Sequence, residues 1–310
     1  MRIKITADST CDLSPELVQE NNIEIFPLFI NMGDKSYLDG VDIHPADIFA
    51  HVAAGGALCS TAAVPIGTYR ERFEALSREY DAVVHVNIGS GFSVTYQNAC
   101  LAAEDLPNVR VIDSRNLSTG QGHVVMEACK LAKTATDLDE MCEELKELTY
   151  RVDASFLLDR LDYMVKGGRC SSVMALGANL LKLKPCIEVV DNKMVVGKKY
   201  RGNYAKCMEQ YVRSRLEGAD DLIYERIFIT HTPVSKEVSD TVHRAVEKYG
   251  HFEHIYDTDA GGTIACHCGE GCLGILYIHK NPKKSRFLIF GKKRAVLAAR
   301  FFQEFSTTVS

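Results

Sequence analysis

The sequence predicts an α/β protein of two domains: a three-layer α/β/α domain built on a parallel sheet, then a second α/β domain with a mixed sheet. Three observations predict it. Apolar strand-like runs alternate with helix-period segments through the first half, which is the rhythm of βαβ units. In the second half, Lys184–Val190 and Met194–Lys199 flank Asp191-Asn192-Lys193, the pattern of an antiparallel hairpin. A chain of 310 residues is also near the limit that one hydrophobic core serves. The expected division is 1–150, 151–282 and a basic tail at 283–310.

The elements follow in order. Ile3–Ala7 reads as a buried strand, and Ser14-Pro15 supplies an N-cap and a first-turn proline for a helix. Ile23–Ile30 is an apolar run broken by Pro27; His44-Pro45 opens a helix that stops at Gly55-Gly56. Tyr69, Phe73, Leu76 and Tyr80 recur at helical spacing on one face. Val83–Ile88 is a strand, a Gly/Ser turn leads into a helix from about Val94, and Arg110–Asp113 is the next strand. Helices follow at roughly 119–134 and 137–149, the second striped by Leu138, Met141, Cys142, Leu145 and Leu148. Ala154–Leu158 is a strand, and a helical segment ends at Gly167-Gly168. Beyond the hairpin, Ile227–Thr230, Glu253–Tyr256 and Leu273–Ile278 read as strands, with Ser235–Tyr249 a helix and a glycine-rich loop before the last strand.

Composition narrows the function. With 46% hydrophobic and 25% charged residues the chain is an ordinary globular protein, and a net charge of −5 disfavours a nucleic-acid binder. Ile48–Tyr69 and Ala82–Ala103 lack charges but carry too many polar residues to span a bilayer. Met1-Arg2-Ile3-Lys4-Ile5 enters a strand pattern with no signal-peptide core, and eleven cysteines is an odd number. Free thiols in a reducing cytoplasm are therefore expected. The charge is uneven. Residues 283–310 hold seven basic side chains and one acid, a net of +6, leaving −11 for residues 1–282. Leu297, Ala298, Phe301, Phe302 and Phe305 there share a helical face, which suits a docked terminal helix or a transient contact with an anionic membrane surface.

Several segments carry chemistry. Gly89-Ser90-Gly91-Phe92-Ser93 joins a strand to a helix, where open parallel sheets bind ligands; Ser93 suits either an anion site or a simple helix cap. Thr61, in Cys59-Ser60-Thr61, precedes another helix and lies beside Ser93 if the two strand ends are neighbours; a cap is its other reading. Ala265-Cys266-His267-Cys268-Gly269-Glu270-Gly271-Cys272 is the densest cluster. It reads as a glycine-rich loop presenting His267, as a buried His, or as a thiol or zinc site on Cys266, Cys268 and Cys272 with non-standard spacing. Asp8-Ser9-Thr10 and Asp113-Ser114 end strands and suit turns and caps, or else a phosphate or metal site. Arg169, and Arg201 within Lys199-Tyr200-Arg201, are basic points that suit anion contacts or solvated charges. An acyl hydrolase using Ser93 with His267 is the enzymatic alternative, although Gly91-Phe92-Ser93-Val94-Thr95 lacks the second glycine of a nucleophile elbow.

From Ile3 to about Ile278 these segments resemble the DegV family of bacterial fatty-acid-binding proteins. The resemblance rests on Thr6-Ala7-Asp8-Ser9-Thr10-Cys11-Asp12-Leu13, Thr61, Gly91-Phe92-Ser93-Val94-Thr95-Tyr96-Gln97 and Val111-Ile112-Asp113-Ser114. It continues through Gly167-Gly168-Arg169, Lys184-Pro185 and Ala265–Gly271. The family often has Thr-Ser-Gln-Pro where Thr61-Ala62-Ala63-Val64 stands, Gly at Val94 and Pro at Glu270. The resemblance implies two α/β domains with a long-chain fatty acid such as palmitate buried between them. Its carboxylate is held by Thr61, Ser93 and His267, with no cofactor and no metal. It further implies a carrier that hands the acid to an ATP-dependent fatty acid kinase for acyl-phosphate formation in phospholipid metabolism, with Arg201 serving that encounter. A sixteen-carbon tail buried at ~0.8 kcal/mol per CH2 contributes roughly 12 kcal/mol gross, so the tail dominates affinity while the head group sets direction.

Overall fold

The computed structural model describes residues 1–174 and 183–282. The expected tail helix and its membrane contact, at 283–310, lie outside the described residues. The first half runs β1 (Ile3–Asp8), α1 (Pro15–Glu20), β2 (Glu24–Phe26), β3 (Phe29–Met32), β4 (Lys35–Leu38), α2 (Pro45–Ala53) and β5 (Ser60–Ala62). It continues with α3 (Ile66–Glu79), β6 (Ala82–Asn87), α4 (Thr95–Ala103), β7 (Val109–Asp113), α5 (Thr119–Ala132) and α6 (Leu138–Thr149). Next come β8 (Val152–Leu157), α7 (Asp162–Gly167), α8 (Ser171–Met174), β9 (Leu183–Val190) and β10 (Lys193–Arg201). The chain closes with α9 (Tyr204–Leu216), β11 (Leu222–His231), α10 (Lys236–Tyr249), β12 (His254–Asp259), α11 (Gly262–Cys268) and β13 (Leu273–His279).

Two main sheets result. The first is parallel, in the order β2-β1-β6-β7; the second is mixed, in the order β10-β9-β8-β13-β11-β12, with only β11 and β12 parallel. Helices α3 and α4 cover one face of the parallel sheet, where Tyr69, Phe73, Leu76, Ala99 and Ala102 pack on Phe26, Val83 and Val109. On its other face Val124, Val125 and Ala128 of α5 and Met141, Cys142 and Leu145 of α6 meet Ile5, Val84, Val86 and Ile112. Pro27 splits the Ile23–Ile30 run, as proline must where a ladder N–H is required, and the chain after it joins a separate antiparallel sheet, β4-β3-β5. That small sheet was not foreseen from the sequence.

Helix α5 lies between the two main sheets. His123 donates from Nε2 to the Leu276 carbonyl of β13 at 2.9 Å, and the Thr119 and Thr230 hydroxyls meet at 2.5 Å. Burial holds His123 near pKa 3, so its ring is neutral and acts as an ordinary N–H donor. The main hydrophobic core accordingly draws on both halves, from Ile5 and Val86 to Phe156, Ile187 and Leu276. On its far face the mixed sheet is covered by α9 and α10, whose Tyr211, Val212, Val242 and Val246 are fully buried.

The hairpin of β9 and β10 turns through Asp191 and Asn192, with φ of 49° and 62°, the left-handed pair that a two-residue turn requires. Its tip sits on the glycine turn of the first half. Asn192 Nδ2 donates to Ser90 Oγ at 2.8 Å and Asp113 Oδ2 at 3.1 Å, and a Cβ on Gly91 would stand 1.9 Å from the Asn192 carbonyl oxygen. Glycine at 91 is therefore a condition for seating the hairpin.

Candidate functional site

A cavity of about 370 Å³ opens between the two halves, within the range of small-ligand pockets. Leu28, Ile88, Phe92, Leu117, Met164, Met194 and Ile264 are the large apolar residues of its wall. Thr61, Ser93, Arg169, Thr263 and His267 are among its polar lining residues, so four segments far apart in sequence meet on one surface.

Each arrives by a different route. Thr61 sits in β5 opposite Ile30 of β3, so it is a strand residue and not a cap for the helix that follows. Ser93 lies in the turn between β6 and α4, at the carboxyl end of the parallel sheet as expected. Its Oγ accepts the Thr95 N–H at 3.2 Å, but the N-cap of α4 is Val94, so Ser93 lines the cavity without being the helix cap. His267 corrects the sequence expectation of a loop: Gly262–Cys268 is the short helix α11, and His267 occupies its last turn. The glycines that suggested a loop lie at its borders.

Two carboxylates from the first half hold that helix. Asp12 accepts the Gly261 N–H at 2.9 Å and the Ser118 hydroxyl at 2.6 Å. Asp39 accepts the Gly262 N–H at 2.9 Å, the Thr263 N–H at 3.1 Å and the Ser9 hydroxyl at 2.9 Å. Three successive orphan donors of a helix start are thereby satisfied by buried acids, with the helix dipole favouring the charge. Burial pushes the Asp12 carboxyl well above its ordinary range, against the pull of its hydrogen bonds. From the sequence, Asp39-Gly40 and Asp12 look like turn residues, and nothing local reveals that they cap a helix more than two hundred positions away.

Helix α11 then places His267 Nε2 2.9 Å from Thr61 Oγ1. On the ring's other side a Cβ on Gly167 would stand 2.5 Å from Nδ1, so the Gly167-Gly168 ending of α7 leaves room for the imidazole. Nδ1 is buried with no hydrogen-bond partner among the described residues. Burial, and then the nearby Arg169 guanidinium, depress His267 to about pKa 4. The ring is expected to stay neutral from pH 7 down to about 4, checked by imidazole nitrogen shifts; titration above pH 6 in ligand-free protein would contradict it. A base with a depressed folded pKa loses its stabilising contribution as pH falls from about 6.5 toward 4, so the His267→Ala variant should lose less stability over that window than wild type.

The other candidates separate. Arg169 is exposed at the cavity wall, its Nη1 donating to the Gly167 carbonyl at 2.9 Å. Arg201 is exposed at the end of β10 and does not line the cavity. Cys266 packs with Ile30, Ile43 and Ile48, whereas Cys268 and Cys272 belong to the main core, and no metal-holding group of acids, histidines and cysteines occurs among the described residues. All eleven thiols are free and nine are buried. Asp8 caps the turn after β1, accepting Thr10 N–H and Ile88 N–H at 3.0 and 2.6 Å, and Asp113 accepts the Ser90 and Arg115 N–H groups. Among the described residues no Ser–His–acid relay is assembled: His267 bonds Thr61 through Nε2, and no carboxylate meets its Nδ1. Among the described residues no helix is long and apolar enough to cross a membrane.

Fold and cavity thus define a class: an α/β protein that encloses a largely aliphatic pocket between two sheets, with hydroxyls, an imidazole and a guanidinium on its wall. The chain belongs to the DegV family, whose model, described as an uncharacterised protein family, matches residues 2–280. A DegV domain-containing protein of Clostridium perfringens is 33% identical over 223 residues, 71% of this chain and 78% of the relative. Protein DegV of Bacillus subtilis is 29% identical over 283 residues, covering 90% of this chain and all of that one. Among solved structures, a DegV family protein from Thermus thermophilus, described by its fatty acid binding, superposes with a TM-score of 0.81 at 27% identity. DegV of Bacillus subtilis, described as a fatty acid binding protein, does so at 0.76 and 27%. Both matches cover 90% of this chain and all of the other.

Proposed function

We propose that the protein binds a long-chain fatty acid such as palmitate, carboxylate at Thr61, Ser93 and His267, and carries it without chemical change. The observation that supports this most is how the hydroxyls are occupied. A carboxylate only accepts hydrogen bonds, so it needs donors. Ser93 Oγ already accepts the Thr95 N–H, and Thr61 Oγ1 accepts from His267 in the tautomer that protonates Nε2, the one that spares the buried, unpartnered Nδ1 an unsatisfied N–H. Each hydroxyl therefore has its own proton free for the ligand. His267 orients Thr61, Arg169 adds positive charge beside the site, and the aliphatic wall takes the alkyl chain.

The same occupancy argues against an acyl-enzyme, because Ser93 Oγ has no base beside it among the described residues. We further propose that a cytoplasmic ATP-dependent kinase receives the bound acid to make acyl phosphate, with exposed Arg201 at the encounter surface. On this reading the carrier needs no cofactor of its own. The first test is native mass spectrometry of protein purified from bacteria. A mass increment equal to a long-chain fatty acid, lost on delipidation and restored by palmitate, is the expected result. Protein that neither carries nor takes up a fatty acid overturns the proposal.

A further inference from the structure

Two thiols meet beside the Thr61–His267 pair. Cys59 lies two residues before Thr61, and Cys266 immediately precedes His267. Because Thr61 and His267 are hydrogen-bonded at 2.9 Å, the segments that carry the two cysteines run side by side. Both cysteines belong to the small apolar cluster of Ile30, Ile43 and Ile48, and within it the two thiols are hydrogen-bonded to each other. Cys266 is only 3% exposed, whereas Cys59 is half-buried and open to solvent. The contact therefore joins a reachable thiol of the first half to a sheltered thiol of α11.

The pair is also unequal in chemistry. Burial raises both thiols, but their hydrogen bond lowers Cys59 and raises Cys266, so Cys59 ionises first. We propose that Cys59 and Cys266 are a redox site, closing to a reversible disulfide under peroxide and so resetting the Thr61–His267 pair. The Cys59 thiolate attacks one peroxide oxygen; an S–O bond forms, the O–O bond breaks, and hydroxide leaves as water after taking a proton. The Cys266 sulfur then attacks the Cys59 sulfenic acid; the S–S bond forms, the S–O bond breaks, and the thiol proton leaves with the hydroxyl as a second water. Two thiols are oxidised by two electrons in all, and one peroxide is reduced. A disulfide holds its sulfurs about 2 Å apart, well inside the separation of hydrogen-bonded thiols, so β5 and α11 must close up at this level. Thr61 and His267, one and two residues away, move with them.

The experiment treats reduced, delipidated full-length protein with a small excess of hydrogen peroxide. The thiol count of the denatured protein should fall from eleven to nine. Peptide mapping should join Cys59 to Cys266, and the His267 imidazole nitrogen shifts should move, all reversed by dithiothreitol. Resting on the fatty-acid reading above, palmitate affinity should fall about tenfold on oxidation, the loss of one hydrogen bond to the head group. Cys59→Ser, a change at a half-buried position, should bind palmitate like the reduced wild type and ignore peroxide; Cys266→Ala should not form the bridge either. Oxidation that leaves Cys59 and Cys266 unlinked, or a bridge that moves neither the His267 shifts nor the affinity, overturns the proposal. If reduced wild type does not bind palmitate, the carrier reading falls, and the bridge and the His267 shifts still decide this one.

Discussion

Replacing Thr61 and Ser93 together by alanine is expected to lower palmitate affinity by two to four powers of ten. Each hydrogen bond to the charged head contributes about 1.5–3 kcal/mol, so losing two removes about 3–6 kcal/mol. The chain, at roughly 12 kcal/mol gross, remains to hold the ligand, so binding weakens without vanishing and the head loses its fixed direction. Titration of delipidated protein measures the first effect, and a carbonyl-labelled acid examined by NMR shows the second as a mobile carboxylate. Native-like affinity in the double variant would place the head group elsewhere. Because Ser93 also accepts the Thr95 N–H and Thr61 lies in β5, the stability of the variant is measured alongside.

Removing the Asp39 carboxylate is expected to be the most damaging single change to the site's frame. Asp39→Ala leaves the Gly262 and Thr263 N–H groups buried without partners, and the Ser9 hydroxyl loses its acceptor. An unsatisfied buried donor costs about 1–3 kcal/mol, so a loss of about 2–5 kcal/mol follows for the pair. Asp39→Asn keeps one acceptor oxygen and should lose roughly half as much. Urea denaturation reads the loss as a lower midpoint at unchanged slope. Affinity should fall as well, since α11 sets the Thr61–His267 distance. An Asp39→Ala protein with wild-type midpoint and wild-type affinity would show that the carboxylate does not hold the helix.

Much of this molecule was legible in its sequence, for identifiable reasons. Strong periodicity located α3, α6 and α10, because each buries large apolar residues at helical spacing against a sheet. The hairpin was legible because Asp191-Asn192 is a local turn signal. Thr61, Ser93 and His267 were singled out as chemistry at element ends and through the family resemblance, and the cavity brings the three together. Helix α9 was not seen: its buried face relies on Ala205, Cys207, Met208 and Tyr211 among charged neighbours, and such a stripe stands out weakly. The nature of α11 was hidden because its bordering glycines outweighed a seven-residue helix that depends on Asp12 and Asp39 for its start.

The position of α5 bears on how a ligand gets in. Two bodies joined by a linker would admit an acyl chain by swinging apart, a microsecond-to-millisecond hinge motion about a few residues. Here the wall between the sheets is a helix packed into both, anchored by His123 to Leu276 and by Thr119 to Thr230. Separating the halves would tear open the main core, so gating falls to the periphery, where Asn192 at the hairpin tip bonds Ser90 and Asp113 and its carbonyl abuts Gly91. On the proposed fatty-acid function, uptake and release become small local breathing events, with the rest of the molecule acting as a rigid mould around the acyl chain.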